Sequence, residues 1–382
     1  MGGKRRLAVL DAGRTLAILG VIAVHLSPWF GNLPGWISVI SGFGQYGVQG
    51  FFVISAVTIC TTLDEDARRY SSRDTYTRFY VKRYFRIAPL YFVALTVYAL
   101  IDDGARMMHA HMLQPHGVID VIANLLFVHE WVPGAINSVV PGGWSIGVEM
   151  FFYLLAPLLF AASRTIRSLL AASVLVLFVC GCFWFAGPCM HASACVVENN
   201  AFYYFWPPVQ FPCFIVGLWL WRLARRVIAG EQTVAPLAML AIAGFGVVCG
   251  ALLYVCGVGD GLNHGLAPLF AAGVAAAALL LMAGLPQRLL GSPVLIALGQ
   301  NSYGVYIWSF VGIILVRAVF RQGLFKGEIA AYPVTSFLAA LALVTLCAYL
   351  GARITARHIE APISRMARER LLAPRGARVR SA

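Results

Sequence analysis

Long apolar stretches joined by short polar segments decide what this chain can become. They lie near 7–27, 36–62, 87–101, 143–163, 168–187, 207–223, 235–256, 265–284, 294–316 and 332–353. A helix needs about 18–20 apolar residues to cross the hydrocarbon of a bilayer, and most of these stretches reach that length; the third is short. Backbone groups in hydrocarbon must hydrogen-bond within the protein. The expected fold is therefore all-α, a polytopic transmembrane helical bundle of about ten spans. Composition agrees, because only 12% of the residues are charged and 60% are hydrophobic, whereas a soluble domain carries about 25% charged residues. No polar block is long enough for a separate soluble domain. The expected organisation is one membrane domain over 1–362 and a basic cytoplasmic tail over 363–382.

The net charge of +13 would suit a nucleic-acid binder, but the positions of the charges exclude one. With ten spans and both termini inside, 24 of the 29 Lys and Arg fall on the cytoplasmic side, as the positive-inside rule requires. Arg106, Arg317, Arg321 and Lys326 fall outside, and Arg14 lies within a span. The segment 118–132 is short and holds Asp120, His129 and Glu130, so it is expected at the outer surface or re-entrant. Counting it as a span would turn the loops of Arg164, Arg222 and Arg288 outward. Lys4, Arg5 and Arg6 before an apolar run could open a signal peptide, yet Asp11 and Arg14 interrupt the run and no cleavage site follows Leu26. The first span is expected to remain uncleaved. Cys189 and Cys195 share a loop without Lys or Arg, 188–206, expected outside; their pairing is left open. The other seven Cys lie in or beside apolar spans, and no CxxC spacing suggests a metal site.

The first span carries the chemistry. Residues 7–26 include Asp11, Arg14 and His25, and each ionisable group in hydrocarbon costs at least a few kcal/mol. At about 100° per residue, Arg14, His25 and Asp11 share one helix face. Arg14 and His25 stand eleven residues apart, or roughly 16–17 Å along the axis. An acid–base group at one end of a face and a fixed cation half a membrane away point to a polar interior. Asp11 is three residues from Arg14 and within pairing reach. Glu149 enters the fourth span from the same side as His25 and is expected to pair with it, a carboxylate orienting and charging an imidazole. Trp144 and Ser145 open that span, as an interfacial anchor and a helix cap. Arg83 and Arg86 are read as the opening of the third span. With Arg14 they form three guanidiniums at one depth, suited to phosphates.

These residues carry a family resemblance. The Arg14 to His25 spacing resembles the first-span motif of the membrane acyltransferase-3 family, whose bacterial members O-acylate surface and secreted carbohydrates. FFVIS at 51–55, RYFR at 83–86, WSIGVE at 144–149, LGQNSYGVYIW at 298–308 (with Ser302 and Tyr303) and HIEAP at 358–362 resemble its later motifs in order. One departure is Ser309, where members often have His after the Trp. The resemblance implies a bacterial inner-membrane O-acyltransferase. Acyl-CoA, with acetyl as the default group, would bind from the cytoplasm with its phosphates on Arg14, Arg83 and Arg86. Its pantetheine arm would thread toward His25. There His25, assisted by Glu149, would deprotonate a hydroxyl of a carbohydrate or glycolipid acceptor. No metal and no nucleic acid is implied. The competing reading is a proton-coupled transporter or glycan exporter using the same intramembrane His and Glu. Paired repeats, frequent in transporters, are absent from the sequence.

Overall fold

The computed structural model describes residues 8–107, 117–186, 202–258, 262–321 and 331–372. Among these residues there is no strand, and the fold is an all-α bundle. In chain order the helices are α1 (Ala8–Leu26), α2 (Gly35–Phe43), α3 (Gly47–Ala67), α4 (Ser72–Met107), α5 (Val118–Leu125), α6 (Trp144–Ala162), α7 (Ile166–Ala186) and α8 (Phe202–Phe205). Then follow α9 (Pro207–Gln210), α10 (Pro212–Ile228), α11 (Pro236–Val258), α12 (Leu262–Ala283), α13 (Gln287–Leu290), α14 (Pro293–Gln300), α15 (Ser302–Arg321), α16 (Pro333–Thr355) and α17 (Ala361–Leu371). Nine helical segments among the described residues are long and apolar enough to cross a membrane. The sixth apolar stretch falls just short: α10 has 17 residues, with α9 immediately before it. Pro at the first position of α10, α11, α14 and α16 starts each helix where its missing N–H would have had no partner.

Several boundaries differ from the sequence reading. The loop expected over 63–86 is mostly helix, because α4 runs unbroken through 36 residues. Arg83 and Arg86 therefore sit inside a helix rather than opening one. Their helix survives because one face of its polar half is buried through Thr75 and Phe79, and Lys82 is neutralised by Asp66 at 2.6 Å. The second stretch is broken at Gly44–Tyr46 into α2 and α3. The ninth is broken at Asn301, whose side chain bonds the Ala297 carbonyl at 2.7 Å and competes with the helical ladder. Residues 118–132 form the short helix α5 and a 3-10 turn at His129–Trp131, so they do not span. The boundary drawn at 362 falls within helix, since a π-turn at Ala356–Glu360 continues α16 into α17. Ser364 ties α17 to α4 through the Phe85 carbonyl at 2.8 Å. Lys4, Arg5, Arg6, Cys189 and Cys195 lie outside the described residues.

Layering follows from which faces are apolar. Helices α1, α3, α4, α6 and α15 bury Ile18, Ile22, Val53, Ile59, Tyr91, Phe152 and Ile307 against one another. By contrast α7 exposes Val174, Leu175 and Phe178, and α11 exposes Leu240, Val247 and Val255. Such apolar exterior faces suit lipid contact. Helix α14 comes so close to α1 that a Cβ on Gly299 would collide with the Asp11 backbone. The close approach lets Thr15 donate to the Leu295 carbonyl at 2.7 Å, locking the Asp11–Arg14 turn of α1 in place.

Candidate active site

A cavity of roughly 80 Å³ lies among α1, α3, α4, α6 and α15. The polar side chains that line it come from spans that are otherwise apolar. Arg14, Thr58, Arg83 and Arg86 line one end, which we call the arginine end. Ser55, Glu149 and Tyr153 follow, with Ser302 and Tyr303 at the start of α15. Ser145 and Tyr306 line the other end.

Arg14 is held from two sides. Its Nη1 donates to Asp11 Oδ1 at 3.0 Å and its Nη2 to Thr58 Oγ1 at 2.6 Å. Thr58 in turn donates to the Ile54 carbonyl at 2.7 Å. Gln300 reaches the other Asp11 oxygen at 3.4 Å. The Asp11–Arg14 pair expected from sequence is therefore present, and the three arginines meet at one cavity wall. Arg83 stands with its guanidinium carbon 5.6 Å from the centre of the Tyr153 ring. Tyr303 donates to the Ile87 carbonyl at 2.9 Å and fixes α15 against α4.

Glu149 occupies a different place from the one expected. Tyr153, one turn later on α6, donates to its Oε1 at 2.6 Å, and Ser55 of α3 donates to the same oxygen. His25 is exposed at the far end of α1 and packs on Phe310, with ring centroids 4.8 Å apart. Among the described residues no hydrogen bond or ion pair joins His25 to Glu149. The reason is depth and azimuth. Glu149 lies five residues into α6, about 7.5 Å along the axis, on the face turned to α3, whereas His25 faces α15.

A roof separates the cavity from His25. Gly142 has φ +74°, a backbone conformation that favours glycine, and a Cβ there would strike the Tyr306 hydroxyl and touch the Phe310 ring. Tyr306 donates to the Gly142 carbonyl at 2.9 Å, and the Ser145 hydroxyl lies 3.1 Å from the Tyr306 oxygen. Ser145 therefore braces the roof and does not cap α6, and Gly143 at the N-cap carries no capping side chain. Trp144 is buried, stacked on Phe205 with centroids 4.5 Å apart, so it is not an interfacial anchor.

The segment before the roof is pinned by a second polar cluster. His129 Nε2 lies 2.9 Å from the Gly143 carbonyl and therefore donates its proton there. The Tyr91 hydroxyl donates to Asn124 Oδ1 at 2.6 Å and lies 3.3 Å from the same His129 nitrogen. Glu130 presses its carboxyl against Gly147, where a Cβ would collide with it. Burial pushes the Glu130 carboxyl up to about 8 and the His129 imidazole down to about 4, so both favour their neutral forms.

Sequence reasoning found the arginines, Asp11, Ser145, Ser302 and Tyr303, all of which meet at the cavity or brace it. It missed Ser55, Thr58, Tyr153 and Tyr306. Their signal was available. Ser55 and Thr58 are polar residues one turn apart in an apolar helix, Tyr153 follows Glu149 by one turn, and Tyr306 follows Ser302 by one turn.

The family pattern described as "Acyltransferase domain" matches residues 7–353. The chain is 25% identical to the O-acetyltransferase OatA of Staphylococcus aureus strain NCTC 8325 / PS 47, over 95% of this chain and 58% of that protein. It thus spans little more than half the length of those relatives. It is 26% identical to the acyltransferase MdmB of Streptomyces mycarofaciens, over 81% of this chain and 79% of that protein. No solved structure matches. The chain is a multi-pass membrane protein and belongs to the acyltransferase-3 family.

Proposed function

We propose that this protein transfers an acyl group, acetyl by default, from acyl-CoA at the arginine end to a carbohydrate or glycolipid hydroxyl at the His25 end. The observation that carries the proposal is the cavity itself. Three guanidiniums converge at one end of a polar chamber inside an apolar bundle, and an exposed imidazole stands eleven residues along the same helix from one of them. Fixed guanidiniums bind phosphate oxygens bidentately, and Arg14 is already oriented by Asp11 and Thr58. The roughly 16–17 Å between Arg14 and His25 suits an extended pantetheine arm. Positive charge gathers at the arginine end, on Arg68, Arg69, Arg164, Arg167, Arg225 and Arg226. That distribution favours a cytoplasmic arginine end and an outer His25 end in a bacterial inner membrane.

In this reading His25 takes the proton of the acceptor hydroxyl as its oxygen attacks the thioester carbonyl. The carbon–sulfur bond breaks, and the proton passes to the departing CoA thiolate. Glu149 acts on the cavity wall, where it holds Ser55 and Tyr153 and balances the neighbouring arginines. For the acyl end to reach His25, the contact between Gly142, Tyr306 and Phe310 must open. The test is incubation of purified protein with acyl-labelled CoA and a carbohydrate extract. Wild type is expected to move label to carbohydrate, and His25→Ala to leave it on CoA while remaining folded. A wild-type protein that consumes no acyl-CoA, or a His25→Ala variant as active as wild type, contradicts the reading.

A further inference from the structure

His25 has neighbours that the transfer chemistry leaves unused. One turn further along is Trp29, in the 3-10 turn Ser27–Trp29. Arg317 of α15 lays its guanidinium carbon 5.0 Å from the centre of the Trp29 ring. Arg317 and Phe310 are seven residues, or two turns, apart on α15. Thus Phe310 meets His25 and Arg317 meets Trp29, as successive rungs between the same two helices. Trp29 and Arg317 are half-buried and His25 is exposed. Among the described residues no carboxylate pairs with Arg317, and its N–H groups make no hydrogen bond. Arg14 at the cavity differs, since it is bound to Asp11 and Thr58.

A guanidinium with its donors free is the group that recognises phosphate or carboxylate bidentately. A tryptophan ring offers a flat apolar face to the C–H side of a sugar. The rise from His25 to Trp29 is about 7 Å, enough to accommodate one hexose. Resting on the transferase reading, we propose that Trp29 and Arg317 form the acceptor subsite, and that the acceptor is an anionic carbohydrate. Its hydroxyl lies at His25 and its negative charge, a uronate carboxylate or a sugar-linked phosphate, lies on Arg317. Either source supplies a pair of anionic oxygens to the guanidinium fork, and the two probes differ in whether a lipid is attached.

The experiment measures binding without acyl-CoA, with the full chain in nanodiscs. The probes are trigalacturonate, its fully methyl-esterified uncharged form, and decaprenyl-phosphate-linked glucose. Wild type is expected to bind at least one anionic probe and to bind the methyl ester much more weakly. Arg317→Gln should weaken anionic binding tenfold or more, Arg317→Lys should recover part of it, and Trp29→Ala should weaken it as well. Preference for trigalacturonate identifies a polymer acceptor, and preference for the phospholipid-linked sugar a lipid-linked one. Arg167→Gln, a charge on the opposite end of the bundle, is the control. Binding of neither anionic probe overturns the proposal, as does equal binding by wild type and Arg317→Gln. So does a fall in melting temperature without a change in affinity, because Arg317 would then serve only the α15 C-terminus. The parent reading fails separately, through a protein that binds these probes yet consumes no acyl-CoA.

Discussion

Arg14→Lys tests the proposed donor site with the least disturbance of the fold. The Arg14 guanidinium uses two nitrogens, Nη1 on Asp11 and Nη2 on Thr58, at 3.0 and 2.6 Å. Alanine would strand Asp11 without its partner, and breaking a buried pair costs about 3–5 kcal/mol. Lysine keeps the charge beside Asp11 but loses the planar fork that holds Thr58 and a phosphate together. A hydrogen bond to a charged group contributes about 1.5–3 kcal/mol. With each 1.4 kcal/mol equal to a factor of ten, loss of one such bond raises the donor KM roughly tenfold to hundredfold. The assay is steady-state transfer in nanodiscs, varying acyl-CoA and acceptor in turn. Acceptor KM should stay within about twofold, since Arg14 lies at the opposite end of the cavity from Tyr306. A folded Arg14→Lys protein with an unchanged donor KM, or one whose acceptor KM alone rises, refutes the assignment of the arginines to the donor.

Other outcomes follow from the same geometry. Because Glu149 is bound to Ser55 and Tyr153 rather than to His25, Glu149→Gln should lower kcat while leaving the His25 limb of the kcat/KM pH profile in place; a shifted limb would show that the two residues do meet during turnover. For Glu130, the folded value of about 8 against an ordinary 4.5 means the native state holds the extra proton, so its stabilisation declines as pH rises through that window. His129, lowered from 6.5 to about 4, gives the opposite slope below 6.5. Hydrogen-exchange protection of residues 126–133 should therefore change little between pH 4.5 and 6.5 and fall from 6.5 to 8. Glu130→Gln should abolish that fall, and a wild-type rise over the same range contradicts it. Gly299→Ala places a Cβ against the Asp11 backbone and should destabilise by about 1–3 kcal/mol, read as a lower melting temperature. An unchanged melting temperature would mean that α14 can move away from α1 freely.

The bundle was legible because span length is a one-dimensional property, and apolar runs report it directly. Helix continuity was less so. Residues 72–86 look like a charged loop in sequence, yet they are helical because Thr75 and Phe79 supply a buried stripe and Asp66 neutralises Lys82. Arg14, Arg83 and Arg86 were legible as a cluster because a cation in an apolar span needs a polar interior. The partner of Glu149 was not, since rise along a helix gives depth but not the azimuth of its neighbours. Trp144 was assigned to the interface by its position at a helix end, but Phe205, from a part of the chain with no span of its own, covers it. Tyr306 and Gly142 were invisible for a similar reason, because the roof exists only where an irregular segment meets α15.

The most direct measurement of the central claim is sided transfer in sealed proteoliposomes. Acyl-labelled CoA is supplied only on the face bearing the arginine end, and a carbohydrate acceptor only on the face bearing His25. Orientation is fixed by protease access to α17 at the arginine end. The account predicts label on the acceptor across the bilayer, with one CoA released for each acyl group moved and none moved by His25→Ala. Label that stays on CoA, or that reaches acceptor only when both substrates share one face, contradicts it.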